Sequence, residues 1–200
     1  MAVETHIYDN HFFKNTIKLE TDSASQFVDI ILNYYQPQSI VDIGCGAGIY
    51  LSEFSRRGIQ DLLGVDGSPA AKEEFLLEKD KLIIFDLAGE CRFPKKYDLC
   101  LCLEVAEHLE ENMADTLLST LIGVSDNIIF SAATPGQGPR SIGHINEQPH
   151  EYWIEKFGRI GFAYSRSQTK KMRKEMKTGN VVWWIVNNLM IFIKEAAPSG

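Results

Sequence analysis

The chain has 200 residues, of which 44% are hydrophobic, and its formal net charge is −7. These values suit one compact domain with a single core, and the negative charge argues against a large nucleic-acid surface, which needs lysine and arginine to neutralise phosphates. No apolar run is long enough to span a bilayer, and the start of the chain lacks the basic and apolar regions of a signal peptide, so we expect a cytoplasmic protein.

Four cysteines occur without the paired spacing of a zinc site. They are Cys45, Cys91, Cys100 and Cys102. We therefore expect reduced thiols with a structural role.

The residues ahead of the first predicted strand include several aromatics among polar neighbours, among them Tyr8, Phe12 and Phe13. In one interpretation, Phe12 and Phe13 bury against Ile30 and Ile31 of the next helix. In the other, the segment forms a flap over a site.

The first predicted strand, residues 40–43, contains an acid and leads into three glycines, Gly44, Gly46 and Gly48. Glycines cluster in this way where a strand turns sharply and the backbone must come close to a ligand, because a Cβ would block the approach. Residues 49–54 have apolar side chains at helical spacing. The pattern predicts a strand, a ligand-binding loop and a helix.

The glycine spacing separates two classes of ligand. In the dinucleotide fingerprint G-x-G-x-x-G the third glycine would fall at position 49, which is Ile49 here, and the position of Asp42 would be apolar. The segment D-x-G-C-G-x-G from Asp42 to Gly48 instead resembles motif I of class I S-adenosylmethionine-dependent methyltransferases. The resemblance implies that cofactor is bound by the motif's matching positions, which are Asp42, Gly44, Cys45, Gly46 and Gly48.

Two further strands end in acids. The strand at residues 61–66 closes on Asp66, where a ribose-binding carboxylate is expected, followed by Gly67 and Ser68; the alternative for Asp66 is a plain helix cap. The strand at residues 81–87 contains Asp86, which the resemblance makes the candidate for the adenine amino group, with Leu87 beside the ring. Because ligands bind outside the carboxyl ends of parallel strands, we expect these acids to converge with Asp42.

The fourth predicted strand, residues 97–103, leads into Glu104-Val105-Ala106-Glu107-His108. This sequence matches the form E-x-x-E-H of the family's motif IV, which implies that Glu104 and Val105 line the cofactor site. His108 is a candidate general base, because an imidazole titrates near physiological pH. In the alternative, it caps or packs against the following helix.

The same turn also allows a divalent metal site. It resembles the small-RNA 3′-terminal 2′-O-methyltransferases and the ubiquinone-pathway O-methyltransferases, which are associated with a cation at such a motif. Glu104, Glu107 and His108 would then be ligands, with His144 or His150 as outer ligands. Many family members carry the motif without a known metal, and we assign no metal to the site.

After the fifth predicted strand, residues 127–131, comes a glycine- and proline-rich loop that extends to residue 140. The following segment resembles the G-H-x-N-E-Q-P-x-x-Y-W segment of a small-molecule or sugar-modifying branch of the family. His144 is our first candidate for the base and His108 the second, although His144 can instead hydrogen-bond the loop backbone. Asn146 and Gln148 are candidates to contact substrate, whereas Trp153 and Phe157, at i and i+4, should face the core.

Toward the C-terminus, residues 166–177 contain a basic cluster that either tracks a phosphate or solvates a connecting helix, and we favour the solvated helix. Trp183 and Trp184 are expected in the core or at a dimer contact. The last strand, residues 188–193, completes the sheet, and the resemblance implies that it is antiparallel.

The resemblance extends from Tyr8 to Ile193 and implies an α/β fold, a Rossmann-like doubly wound seven-stranded sheet that is mostly parallel, with helices on both faces. We predict one domain over residues 1–200. Residues 1–35 form an N-terminal helical lid, 36–135 the cofactor-binding half, and 136–200 the substrate side. In the family such a lid closes the pocket, and its candidates are Tyr8, His11 and Phe12.

The implied reaction transfers a methyl group from S-adenosylmethionine, leaving S-adenosylhomocysteine, to a hydroxyl or amine of a small molecule or saccharide. The first alternative is an RNA 3′-terminal 2′-O-methyltransferase that uses a divalent metal. The second is a catalytically silent protein that binds cofactor or a partner, and an NAD-dependent oxidoreductase is a further rival. We expect no nucleic-acid or membrane partner, and a monomer or homodimer.

Overall fold

The computed structural model describes residues 7–137 and 143–196. Its seven strands are β1 (Ser39–Ile43), β2 (Asp61–Asp66), β3 (Leu82–Ile84), β4 (Leu99–Leu103), β5 (Asn127–Ser131), β6 (Phe162–Tyr164) and β7 (Met190–Lys194). The helices are α1 (Asn10–Tyr34), α2 (Ile49–Arg56), α3 (Ala71–Glu74), α4 (Ala114–Val124), α5 (His150–Arg159), α6 (Arg166–Thr178) and α7 (Trp183–Asn188).

The strands form one sheet in the order β3-β2-β1-β4-β5-β7-β6. Strands β1 to β5 are parallel to one another, whereas β7 lies between β5 and β6 and is antiparallel to both. The strand order reverses between β1 and β4, so the carboxyl ends of these two strands flank a crevice. The predicted seven-stranded sheet with an antiparallel last strand is confirmed.

Strand β3 is shorter than predicted. It ends at Ile84, and Asp86 lies in a turn in which its own carboxylate accepts the backbone N–H of Ala88 at 3.0 Å. Strand β4 also begins later than predicted, at Leu99, because Tyr97 pairs only through an isolated bridge to Ser125. In both cases the apolar run is longer than the stretch that finds a partner strand.

Helix α1 is a single helix of 25 residues that begins after Asp9, whose carboxylate accepts the backbone N–H of Phe12. Phe13 is buried with Ala47 and Ala71 beside the glycine loop. The predicted packing of Phe13 against Ile30 is wrong, because both residues belong to this helix and a separation of 17 residues corresponds to about 25 Å along its axis.

Two apolar layers cover the two faces of the sheet. In β4, Leu99 and Leu101 face the layer that contains α1 and α2, and Cys100 and Cys102 face the opposite layer, as the two-residue period of a strand requires. The second layer includes Trp153 and Phe157, which are fully buried as predicted. All of the cysteines are free thiols.

Trp183 does not lie in the core, contrary to one of its two predicted environments, because it stands at the start of α7 and is 54% exposed. Within the described residues, no helix is both long and apolar enough to cross a membrane. The division at residues 35 and 135 stays a prediction, and residues 138–142 of the predicted loop lie outside the described residues.

Candidate functional site

A cavity of about 260 Å³ opens at the carboxyl ends of β1, β2 and β4 and is covered by the N-terminal part of α1. Most of the predicted cofactor residues line it. They are Asp42, Gly44, Cys45, Gly46, Asp66, Gly67, Ser68, Leu87, Glu104 and Val105. Two predicted lid residues, Tyr8 and Phe12, and one predicted base, His108, also line the cavity.

The glycine loop has the backbone conformation that its sequence predicts. Gly44, Gly46 and Gly48 have φ angles of +81°, +52° and +75°. A Cβ on Gly44 would come within 2.2 Å of Val105 Cγ2, and one on Gly48 within 2.5 Å of Phe75. Gly48 precedes α2 and serves its packing, whereas Gly44 and Gly46 form the wall of the cavity.

Asp66 ends β2 and holds the glycine loop through its carboxylate. One oxygen accepts the backbone N–H of Gly46 at 2.7 Å and the other accepts that of Ser68 at 2.8 Å. Burial raises the pKa of Asp66, and these two bonds partly offset the effect. Each carboxylate oxygen has two lone pairs, so each keeps one for a ligand hydroxyl. The geometry therefore matches a pair of ribose hydroxyls as well as a local turn.

Asp86, the predicted adenine contact, is exposed and is not among the described residues that line the cavity. Because β3 already ends at Ile84, Asp86 lies in the turn that follows the strand. Leu87 is buried and lines the cavity, so the structure brings only the second member of this pair to the site.

Glu104 has a strained backbone, since its φ of +54° lies in the left-handed region that non-glycine residues rarely adopt. Its N–H bonds to Ser131 O at 3.0 Å, and both oxygens of its carboxylate accept the side-chain amide of Asn188 at 3.1 Å. These contacts fix the Glu104 carboxylate at the cavity wall.

Glu107 is completely buried, and in the described part of the chain neither of its carboxylate oxygens has a partner at hydrogen-bond geometry. Burial raises the pKa of Glu107 well above its usual range, and the negative charge of Glu104 raises it further. Weak contacts to backbone N–H groups offset only part of this effect. A buried carboxylate in this state requires a proton or a cation.

His108 lies at the cavity wall beside Tyr8. Its Nδ1 is 2.7 Å from the Tyr8 hydroxyl and 3.1 Å from Gly143 O. Burial lowers the pKa of His108 to about 4, so the ring is neutral at physiological pH. His144 packs edge-on against His108 with ring centroids 4.8 Å apart, and its own Nδ1 is 2.9 Å from a Glu147 carboxylate oxygen. Of the two predicted bases, His108 is the one that lines the cavity.

Glu107, His108 and His144 offer ligand atoms that lie within 4.8 Å of one another. A carboxylate and two imidazoles suit a divalent transition-metal ion. His150, the other predicted outer ligand, lies elsewhere, 3.5 Å from a guanidinium nitrogen of Arg173.

Three predicted substrate contacts are not among the described residues that line the cavity. His11 is exposed on α1. Asn146 is buried beside the turn at Glu107, and its backbone N–H donates to the backbone carbonyl of Glu107 at 3.0 Å. The side-chain amide of Gln148 donates to the side-chain carbonyl of Asn146 at 2.9 Å. These two amides hold the loop in place behind the cavity.

Several cavity residues were not predicted. Thr16 and Glu20 come from α1, Tyr50 from α2, and Trp184 and Ile185 from α7. For α1 a pattern was present, because Phe12, Thr16 and Glu20 follow one another at four-residue spacing and so share a helix face. For α7 no motif indicates the site.

Residues 21–164 match the family model of the methyltransferase domain. The chain belongs to this family. Its membership confirms the predicted assignment to the S-adenosylmethionine-dependent methyltransferases, together with the predicted cofactor and fold.

Individual relatives are more distant. The ubiquinone biosynthesis O-methyltransferase of Neisseria meningitidis is 25% identical over 114 residues, which cover 53% of this chain and 48% of the relative. The chain thus spans about half the length of the curated relatives it matches.

Solved structures show the same fold at low identity. The plantazolicin methyltransferase BpumL, in complex with a pentazolic desmethylPZN analog and S-adenosylhomocysteine, has a TM-score of 0.61 and 18% identity over 92% of this chain and 89% of that one. The sugar N-methyltransferase KedS8 from Streptoalloteichus sp. has a TM-score of 0.67 and 12% identity over 93% and 92%.

Proposed function

We propose that this protein transfers the methyl group of S-adenosylmethionine to a hydroxyl or amine of a small molecule or saccharide. The observation that carries the proposal is that one covered cavity combines the glycine loop, the Asp66 carboxylate and the neutral imidazole of His108. The cofactor supplies an electrophilic methyl group on a sulfonium, which a nucleophile attacks in line.

The residues present fit this cofactor. The backbone at Gly44 and Gly46 leaves the cavity wall free of side-chain atoms, and a Cβ at Gly44 has no room even without ligand. Asp66 would hold the ribose hydroxyls through its free lone pairs. Val105 and Leu87 provide apolar walls beside the loop, suited to the faces of the adenine ring.

On the acceptor side, His108 holds a neutral imidazole at the cavity wall, where it would orient an acceptor hydroxyl by a hydrogen bond. Its pKa of about 4 makes the ring a weak base, so it would take the hydroxyl proton only as the methyl group is transferred. Tyr8 and Phe12 pack edge-to-face, 5.1 Å apart, and cover this region. Such a cover excludes water and keeps the reactants aligned, which is the main source of acceleration in a direct transfer. We propose the same role for the predicted lid.

A small acceptor is favoured over RNA because the cavity is acidic and has no lysine or arginine among the described residues that line it. The basic residues of the predicted cluster lie on α6, where Lys170, Lys171, Lys174 and Lys177 are exposed. By their names, two of the proteins compared above are a ubiquinone biosynthesis O-methyltransferase and a sugar N-methyltransferase, in line with a small acceptor.

The test is methylation of a panel of phenols, amines and saccharides with methyl-labelled cofactor, read by mass spectrometry of the products. We expect a labelled small molecule, at least tenfold less product with His108→Ala, and little change with His11→Ala, an exposed histidine outside the cavity lining. Labelling of an RNA 3′ end alone would contradict the small acceptor. Cofactor binding without any transfer to the panel would favour the silent binding protein.

As an alternative use of His108, which excludes its role toward the acceptor proton, we also propose a divalent cation at Glu107, His108 and His144, supported by the unpartnered Glu107 carboxylate. Titration calorimetry with Mn²⁺ should show one site per chain, absent in Glu107→Gln and retained in Glu111→Gln, a neighbouring exposed acid. Unchanged activity after exhaustive chelation, together with no Mn²⁺ binding, would show that Glu107 is simply protonated.

A further inference from the structure

The basic cluster on α6 contains one residue that is not a surface charge. The other basic residues of the cluster are exposed, whereas Arg173 is half-buried, and burial lowers the pKa of its guanidinium. The Nε of Arg173 donates to the backbone carbonyl of Leu189 at 2.9 Å, and one of its terminal nitrogens lies 3.5 Å from His150 Nε2. Within the described residues, no carboxylate forms an ion pair with this guanidinium, so its positive charge is left without a negative partner.

Arg173 lies at the same edge of the sheet as the cavity. Strand β7 begins at Met190, which pairs with Phe130 near the carboxyl end of β5. The Leu189 carbonyl that Arg173 contacts is one residue earlier. It is therefore at the edge where β1, β2 and β4 open into the cavity.

This contact adjoins the cavity wall on the side away from the cofactor loop. Asn188 precedes Leu189, and its side-chain amide donates to both oxygens of the Glu104 carboxylate, which lines the cavity. In the sheet, Glu104 at the end of β4 stands between the glycine loop after β1 and the start of β7. Arg173 is not among the described residues that line the cavity and lies beyond this wall. In the proposed function this is the side left for the acceptor.

Arg173 and His150 form a pair of groups that suits an anion. A guanidinium has N–H donors and no acceptor, so His150 Nε2 accepts their contact and the imidazole is neutral in this arrangement. Burial and then the charge of Arg173 lower the pKa of His150, and the neighbouring Glu151 carboxylate offsets only part of this effect. An anion beside the pair would relieve both groups. The planar fork of arginine matches the paired oxygens of carboxylates and phosphates.

We propose that Arg173 and His150 bind an anionic group of the acceptor, a carboxylate or a phosphate ester. The inference rests on the proposed function and adds a substrate class to it. The Asp66 and Glu104 carboxylates that line the cavity would repel such a group, whereas Arg173 attracts it. This difference in charge orients the acceptor with its neutral hydroxyl or amine toward the methyl group. Arg173 is thus a specificity residue that contacts the acceptor away from the methylated atom.

The test compares acceptors that differ only in an anionic group, such as 4-hydroxyphenylacetate against its amide and glucose 6-phosphate against glucose, with methyl-labelled cofactor. In one kind of pair, which distinguishes carboxylate from phosphate, wild-type protein should have a KM about tenfold lower for the anionic member and a similar kcat. In Arg173→Gln this ratio should fall below about twofold, and Arg173→Lys, which keeps the charge without the fork, should retain part of it. Lys174→Gln, which removes an exposed charge from the next position, should keep the wild-type ratio.

Cofactor binding separates this role from mere support of α7. The affinity for S-adenosylhomocysteine should be unchanged in Arg173→Gln, because Arg173 is outside the described cavity lining. Parallel weakening of cofactor and acceptor binding would overturn the inference, by reducing Arg173 to a prop for the Leu189 carbonyl. Equal KM values within both kinds of pair, or a preference for anionic acceptors retained in Arg173→Gln, would also overturn it and leave the proposed function intact.

A second measurement needs no methyl transfer. The ring signals of His150 are followed by NMR during titration with inorganic phosphate and, separately, with acetate. In wild-type protein the pKa of His150 should rise at saturation with one of these anions, and in Arg173→Gln it should not change. If no acceptor of the panel were methylated, the proposed function would fail, and this titration would still decide whether Arg173 and His150 hold an anion.

Discussion

Replacing Asp66 by alanine tests the ribose assignment most directly. The carboxylate has one free lone pair on each oxygen after its bonds to Gly46 and Ser68, so it can hold two vicinal hydroxyls. Hydrogen bonds to a charged group contribute about 1.5–3 kcal/mol each, and about 1.4 kcal/mol corresponds to a tenfold change in affinity. Losing both should therefore raise the Kd for S-adenosylhomocysteine by roughly a hundredfold or more.

Two comparisons separate a ribose contact from a collapsed loop. Wild-type protein should bind a 2′,3′-dideoxy analogue of S-adenosylhomocysteine more weakly by a similar factor, whereas Asp66→Ala should bind both compounds alike. Asp61→Asn is a matched control, because Asp61 begins the same strand, is exposed and pairs with Lys95. If Asp66→Ala kept its affinity for S-adenosylhomocysteine within twofold, Asp66 would be no more than a turn residue.

Two further predictions concern stability. In urea unfolding, Gly48→Ala should cost about 1–3 kcal/mol more than Gly58→Ala, because both have positive φ but only at Gly48 does a Cβ meet Phe75; equal losses would mean that Phe75 moves aside freely. Burial raises the pKa of Asp42 to about 8, against about 3.9 in an unfolded chain. The free energy that this shift contributes to folding is therefore fully present below about pH 4, and it is lost as the pH rises through 8. Between pH 5 and 8 the ligand-free protein should lose up to about 1.4 kcal/mol per unit through this group, and Asp42→Asn should have a shallower slope; equal slopes would mean that Asp42 is ionised.

The parts of the site that follow from local sequence were predictable. The glycine loop is specified by backbone conformations that only glycine adopts readily, and Asp66 follows it at the end of the next strand. Asp86 was less predictable, although it follows the same pattern. A run of apolar residues shows that a strand is present but not where its partner strand stops, and β3 ends before Asp86.

The choice between the two histidines depends on tertiary structure. His108 follows a buried central strand, so its position relative to the crevice is fixed, and it lines the cavity. His144 belongs to a long connection whose path is set by contacts such as those of Asn146 with the turn at Glu107. Trp184 lines the cavity from α7, which lies between β6 and β7 in the chain. No sequence motif in α7 indicates this position.

Tyr8 contacts both the proposed ribose side and the proposed acceptor side of the cavity. Its backbone carbonyl accepts the hydroxyl of Ser68 at 2.8 Å, next to the proposed ribose contact, while its own hydroxyl lies 2.7 Å from His108. Movement of this segment away from the cavity would break both contacts together. The segment that leads into α1 is thus tied at once to the loop at Ser68 and to the imidazole of His108.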